Sequence, residues 1–195
     1  GIVRPYSTAA FRASVVQAIA VANTDGQKEL VFTTGGRTEK YAMDRLPQMA
    51  QISFIQVGDF IGTALKKAAA VACEHVIIVG MVGKISKIAD GVMMTHASAS
   101  QVNTELLAKL AKKNHASSEL VEEIAKANTA RHVLEMCERE KFKKLWEPLC
   151  AVTAQKCHKH GGNKFSVSIY LIDFSENLLG KYELILKKAK GKKHE

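Results

Sequence analysis

The sequence predicts an α/β fold with a mostly parallel sheet, flanking helices, a helical insertion and a C-terminal strand or hairpin. Three β-rich runs in the first 80 residues each end at glycine and meet a helical pattern within a few residues. Strands that alternate with helices are typical of a parallel sheet with helices on both faces. A long helical region and then two further strand patterns complete the chain.

The first half divides cleanly into elements. Ser7 is a candidate N-cap for a helix that runs to about Asn23, with apolar residues at helical spacing. Pro47 stops the second helix because proline cannot continue one. The predicted strands are ELVFTT (29–34), ISFIQV (52–57) and HVIIVG (75–80), and the predicted helices between them are TEKYAMDRL (38–46) and FIGTALKKAAAVA (60–72).

The second half is helical first and extended last. Residues 98–157 have a helical pattern, with breaks expected near 114–118, 127–129 and 139–140. KFSVSIYLIDF (164–174) predicts a closing strand, and LLGKYELIL (178–186) pairs back as a hairpin across the turn SEN. We therefore expect a single α/β domain over residues 1–186 and a basic, flexible tail over residues 187–195.

Composition restricts the class of protein. The chain has 195 residues, 47% of them hydrophobic, and no apolar run long enough to span a membrane. It begins GIVRPYS without an initiator Met or a signal-peptide pattern, so we expect a piece of a longer protein. The four cysteines form no CxxC motif, which predicts a cytoplasmic protein with reduced, buried thiols. Cys157-His158-Lys159-His160 has no partner pair at zinc spacing, so a frayed helix end rich in polar residues is favoured and no metal site is predicted.

The net charge of +9 is concentrated in two segments. Residues 139–164 and 181–195 carry net charges of +5 and +4, so the rest of the chain is balanced. Nucleic-acid binding would require aromatic residues among these charges or a recognisable module, and neither is present. A solvated basic surface is the favoured interpretation, and nucleic acid is not an expected partner.

Three glycine-bearing segments follow the predicted strands: TTGGRTE (33–39), QVGDFIG (56–62) and GMVGKISK (80–87). Ligands of open α/β sheets bind at the carboxyl ends of the strands, where helix N-termini favour anions. Arg37, Lys84 and Lys87 add positive potential, whereas Glu39 and Asp59 can accept hydrogen bonds from hydroxyls. The segments therefore predict a site for a ligand that has both anionic and hydroxyl groups.

Each of these signals has a structural alternative. Gly35 and Gly36 would also suit a plain turn, Lys84 and Lys87 a solvated helix face, and Asp59 an N-cap. Two residues separate Gly80 from Gly83 where a Walker A loop has four, and Ile85 replaces its Ser or Thr. Neither of the other two segments fits GxGxxG, so ATP hydrolysis and a standard dinucleotide fingerprint lose support.

His96 is the histidine best placed for chemistry, and Ser98 and Ser100 follow it. No adjacent acidic residue orients it, so the spacing does not predict a Ser-His-Asp triad. The alternative is that His96 caps a helix starting near residue 99. His75 and His132 are interpreted as structural.

Four segments, in their order along the chain, resemble the C-terminal half of the CbiD family. They are GIVRPYS, VFTTGGRTEK, QVGDFIG and GMVGKISKIADGVMMTHASAS. The enzymes of this family are the cobalt-precorrin-5B C(1)-methyltransferases of anaerobic cobalamin biosynthesis. The closing DFSENLLG also fits the end of the family, so the resemblance covers most of the chain. Two departures are the absence of the family's N-terminal part and Ala97 in place of a serine.

The resemblance implies methyl transfer from S-adenosylmethionine, as cosubstrate, to ring carbon C-1 of a cobalt-containing tetrapyrrole. Cobalt then belongs to the substrate and not to the protein. If the N-terminal part contributes to the active site, this piece alone is inactive. The implied cofactor-binding residues are Thr34, Gly35, Gly36, Arg37, Glu39, Gly58 and Asp59; the substrate-binding residues are Gly80, Gly83, Lys84 and Lys87; the catalytic residue is His96.

Two other classes of function stay open on the residues alone. One is a non-enzymatic α/β domain that binds an anionic cofactor or nucleic acid through its basic C-terminal third. The other is an oxidoreductase with an atypical dinucleotide loop. The sequence also leaves open whether the chain forms a homo-oligomer.

Overall fold

The sheet has five strands in the order β2-β1-β3-β4-β5, as seen in a computed structural model that describes residues 7–96 and 101–186. The strands β1 to β4 run parallel, and β5 returns antiparallel to β4. The predicted fold class is confirmed. The strands are β1 (Glu29–Thr33), β2 (Phe54–Gln56), β3 (His75–Met81), β4 (Ser166–Ile172) and β5 (Leu178–Leu184).

Eight α-helices are formed by the described residues. They are α1 (Thr8–Thr24), α2 (Gly36–Arg45), α3 (Ile61–Ala70), α4 (Val82–Ala89), α5 (Thr104–Lys113), α6 (Ser118–Ala125), α7 (Ala130–Arg139) and α8 (Trp146–His160). The predicted cap at Ser7 is confirmed, because its hydroxyl accepts from the Ala10 N–H at 3.1 Å. The three predicted breaks separate α5 to α8, and the C-terminal hairpin is present as β4 and β5.

Helices cover both faces of the sheet, but unequally. Side chains of successive strand residues point to opposite faces, so Leu30 and Phe32 enter a large core with seven of the helices, whereas Val31 faces α2. The smaller core on that second face includes Tyr41 and Ala42 of α2. The sheet therefore has one face under a thick helical layer and one face under a single helix.

Two helices begin earlier in the chain than the sequence predicts, and this shortens the loops around them. The helix α2 begins at Gly36, so most of the segment predicted as a glycine loop is its first turn. The helix α4 begins at Val82, directly after β3, because Val82, Ile85 and Ile88 bury their side chains in the core. GMVGKISK is therefore the end of a strand and a helix and not an extended loop.

Three other expectations need correction. The strand over 52–57 shortens to Phe54–Gln56, since residues 51–53 form a 3₁₀ turn. The helix α3 has Phe60 at its N-cap position, so Asp59 is not the cap. Residues 97–100, with Ser98 and Ser100, and the tail 187–195 lie outside the described residues.

Candidate functional site

A cleft of about 1020 Å³ opens at the carboxyl ends of β1, β3 and β4. This is the edge of the sheet where the sequence predicts a ligand site, and the volume lies just above the roughly 300–1,000 Å³ range of small-molecule pockets. Nine of the predicted site residues line it: Thr34, Gly35, Gly36, Arg37, Asp59, Gly83, Lys84, Lys87 and His96. The remaining three, Glu39, Gly58 and Gly80, are outside this lining.

Asp59 and Lys84 form an ion pair in the wall of the cleft. The Lys84 ammonium lies 3.1 Å from Asp59 Oδ1 and donates to the Thr34 carbonyl at 2.8 Å. The Thr95 hydroxyl donates to the same Oδ1 at 3.0 Å. Both contacts engage Oδ1, so Oδ2 can accept from a ligand, and the pair joins the loops after β1, β2 and α4.

Lys87 is a nearly buried cation in the same wall, with 8% of its surface exposed. Its ammonium donates to the Thr95 carbonyl at 3.2 Å, and no carboxylate of the described residues pairs with it. Buried charges are normally paired with an opposite charge because desolvation is costly. The predicted alternative of a solvated face is wrong for Lys87, and its position in the cleft favours an anionic ligand.

Gly35, Gly36 and Gly83 leave open space in the cleft. A Cβ atom built on any of the three would meet no heavy atom within 4 Å. None has a positive φ in the left-handed region: Gly35 is extended at φ 170°, and the other two lie in helices. The backbone conformation therefore does not require glycine at these positions. The alternative that Gly35 and Gly36 are plain turn residues is not supported.

The other two predicted glycines have packing reasons of their own. A Cβ on Gly80 would lie 2.7 Å from Cδ1 of Ile85, which is fully buried in α4. Gly58 has φ +56°, and its Cβ would lie 2.7 Å from the ring of Phe11. These glycines let α4 and α1 pack closely against the strand ends, which holds the cleft walls in place.

Much of the cleft wall comes from residues that the sequence does not predict as part of the site. The helical insertion and the end of β4 contribute Gln101, Val102, Asn128, Thr129, Ala130, Arg131, Leu134, Ile172, Asp173 and Phe174. The break predicted at 127–129 was the available signal, because Thr129 caps α7 by accepting from the His132 N–H at 3.1 Å. The first residues of α7 line the cleft, and the Arg131 guanidinium lies 5.1 Å from the centre of the Phe174 ring.

The histidines divide by their surroundings. His96 is exposed and lines the cleft, but α5 begins at Thr104 with Asn103 as its cap, so the predicted cap role of His96 is wrong. His75 lies between Ser168 Oγ, at 2.8 Å, and Glu29, at 3.6 Å. This chain of contacts resembles a triad, yet Ser168 is only 1% exposed and lies outside the cleft, so a structural role is favoured.

The cysteine and histidine cluster at the end of α8 is well packed and not frayed. Cys157 is fully buried, and burial raises the pKa of its thiol. His158 Nδ1 lies 2.9 Å from the Phe165 carbonyl, and His160 Nε2 lies 3.2 Å from the Gly62 carbonyl. Residues 7–96 and 101–186 contain no group of three His, Cys, Asp or Glu placed to hold a metal ion.

Comparison with known proteins gives a consistent family. The model of the CbiD C-terminal domain matches residues 94–183. The cobalt-precorrin-5B C(1)-methyltransferase of Leptospira interrogans serogroup Icterohaemorrhagiae serovar copenhageni is 52% identical over 183 residues, which are 94% of this chain and 50% of the relative.

Two more relatives carry the same name. The protein of Leptospira borgpetersenii serovar Hardjo-bovis is 46% identical over 99% of this chain and 52% of its own length. That of Thermus thermophilus is 44% identical over 90% of this chain and 48% of its own. The chain thus spans about half the length of the curated relatives it matches.

A search of solved structures found no significant match. Within the described residues, no helix is both long and apolar enough to cross a membrane. The family match, the relatives and the ordered segments around the cleft agree with one another. The chain is therefore similar over most of its length to the CbiD family, and residues 94–183 match that family's C-terminal domain.

Proposed function

We propose that this chain provides the ligand-binding cleft for methyl transfer from S-adenosylmethionine to ring carbon C-1 of cobalt-precorrin-5B in anaerobic cobalamin biosynthesis. The relatives with this name support the reaction. The cleft supports the location, because it lies at the carboxyl ends of parallel strands and carries both cations and hydrogen-bond acceptors. The activity is that of the whole protein, of which this chain matches about half.

The observation that carries the proposal is the open space above Gly35, Gly36 and Gly83. Glycine in a helix lowers stability by about 0.5–1 kcal/mol relative to alanine, and two of these glycines stand in helices. Neither φ nor packing within the described residues requires them. Close approach of a ligand to the backbone explains all three, since each lines the same cleft.

The charged residues suit the two ligands that the reaction brings together. S-adenosylmethionine, when bound, supplies an electrophilic methyl group on a sulfonium and presents a carboxylate and ribose hydroxyls. Arg37, at the first turn of α2, is placed to bind a carboxylate, and Asp59 Oδ2 to accept from a hydroxyl. Lys84 and Lys87 are assigned to the acetate and propionate groups of the tetrapyrrole, where charge-assisted bonds are strong.

The ion pair between Lys84 and Asp59 adds a constraint to this assignment. Because the two side chains lie 3.1 Å apart, the donor and macrocycle ends of the cleft meet at this pair. A reaction that joins two bound molecules gains about 7–11 kcal/mol from proximity and orientation. The rigid pair would hold the two ligands in register, and His96 at the exposed rim is the candidate for proton transfer.

Isothermal titration calorimetry with S-adenosylhomocysteine tests the donor half of the proposal. We expect saturable binding that weakens in Arg37→Ala, which removes a cation, and in Gly36→Ala, which adds a methyl group to the cleft without a clash. Arg45→Ala is the matched control, because Arg45 lies in the same helix but outside the cleft. Absence of heat with the wild type, or equal loss in the control, would contradict the proposal.

A further inference from the structure

The outer edge of β5 is an open edge of the sheet. This strand ends the sheet order and pairs only with β4. Among the described residues, no turn, loop or cap contributes a backbone hydrogen bond to residues 178–186. Monomeric proteins normally shield such an edge with proline, bulges, short length or covering elements. The strand contains no proline, but its register with β4 shifts between Leu171 and Ile172, so the regular part of this edge runs from residue 180 to residue 184.

The side chains along this edge are apolar at both ends and charged in the middle. Leu178, Ile185 and Leu186 are 47%, 59% and 37% exposed, and they are three of eight large apolar side chains exposed in the described residues. Between them, Lys181 and Glu183 lie on one face at 2.7 Å from each other. The opposite face is occupied, because Gly180 packs directly against Trp146 at the start of α8.

This arrangement is self-complementary under a twofold axis through Tyr182. In an antiparallel pair of identical strands, that axis places Lys181 opposite Glu183 of the second copy, and Glu183 opposite its Lys181, within the regular part of the strand. Cross-strand opposite-charge pairs of this kind stabilise sheets.

The neighbouring registers are unfavourable. Two residues that face each other across an antiparallel pair both direct their backbone N–H and C=O groups either toward the partner strand or away from it. The twofold axis must therefore pass through a residue, and it cannot pass between two residues. An axis through Lys181 places two ammonium groups opposite each other, and an axis through Glu183 places two carboxylates opposite each other. Like charges in this position destabilise a pair, so charge favours the axis through Tyr182 over these two neighbouring axes.

We propose that β5 pairs with β5 of a second copy of this chain about a twofold axis at Tyr182, giving one continuous sheet of two subunits. The contact is isologous, as closed dimers require. It rests on the strand edge and not on the proposed reaction. A single strand-to-strand contact lies at the low end of interface sizes, so the dimer is expected to depend on protein concentration.

Sedimentation velocity across a concentration series tests the proposal, with charge variants at two positions. We expect K181E and E183K each to raise the dimer dissociation constant about tenfold or more, because two symmetry-related pairs become repulsive. K66E changes the net charge by the same amount as K181E, on the exposed side of α3, and should leave the dimer intact. Thermal unfolding checks that all three variants fold.

Mixing the two variants separates contact between copies from contact within one chain. Neither K181E nor E183K retains the ion pair within the chain, yet a mixed dimer places two carboxylates of one copy opposite two ammonium groups of the other. We expect the mixture to regain the dimer that each variant alone has lost. A wild type that stays monomeric at all concentrations, a dimer insensitive to K181E, or a mixture that stays monomeric would overturn the proposal.

Discussion

Replacement of Gly80 by alanine is expected to destabilise the fold, whereas the same change at Gly83 is not. The two glycines stand three residues apart at the junction of β3 and α4. A Cβ at position 80 would lie 2.7 Å from Ile85 Cδ1 and 2.8 Å from Ile85 Cγ1. Ile85 is fully buried in the large core, so it cannot rotate away without displacing its neighbours.

The magnitudes follow from these contacts. Overpacking of a core by one methyl group costs about 1–3 kcal/mol, and for a chain of this size each kcal/mol lowers Tm by about 2–4 °C. A Cβ at position 83 meets nothing within 4 Å, and the residue is helical. Gly83→Ala is therefore expected to be neutral or to stabilise by up to about 1 kcal/mol.

Urea unfolding followed by circular dichroism measures both effects, and an unchanged m-value would show that the unfolded state is unaffected. Ile85→Val removes the Cδ1 atom of the closest contact and should recover part of the loss in the Gly80→Ala background, although alone it costs about 0.5–1.5 kcal/mol. Unfolding of Gly80→Ala at the wild-type urea concentration, or equal destabilisation of Gly83→Ala, would show that contact with Ile85 does not decide stability here.

Two further predictions concern the cleft and one concerns pH. Lys87→Met should keep or raise stability, because it removes a buried charge, while calorimetry shows loss of anionic ligand binding. Thr129→Ala should cost about 1 kcal/mol in urea unfolding through loss of the α7 cap, and Thr129→Ser should restore it. Burial raises the pKa of Cys73 to about 11 and that of Cys150 to about 12. Their contribution to stability is complete below the unfolded thiol pKa of about 8.5 and declines as pH rises toward the folded values. The urea midpoint should therefore fall between about pH 7 and pH 10, and less so in Cys150→Ala; equal falls in both proteins would contradict this.

The order of elements could be predicted from the sequence because it is encoded locally. Alternation of β-rich runs and helical patterns gives the class of fold, and caps such as Ser7 and Thr129 mark where helices begin. The rule that parallel sheets bind ligands at the carboxyl ends of their strands then locates the cleft. Nine of twelve predicted site residues line it for this reason.

Element boundaries were less accurate where tertiary packing outweighs local preference. Glycine disfavours helices, yet Gly36 and Gly83 are helical because α2 and α4 bury apolar side chains on opposite faces of the sheet. Local propensity cannot reveal how much burial a helix gains. The short loops of the cleft could therefore be recognised only in the tertiary structure.

The sequence by itself determined the fold class, the family resemblance and the edge of the sheet that carries the cleft. Only the tertiary structure decided which side chains meet there. Asp59 pairs with Lys84, and the Arg131 guanidinium lies over the Phe174 ring, although the two residues of each pair come from different parts of the chain. Lys87 is nearly buried in the same cleft wall. The physical reason is strand order: β3 lies between β1 and β4, and this pairing depends on the burial of whole elements and not on any local pattern.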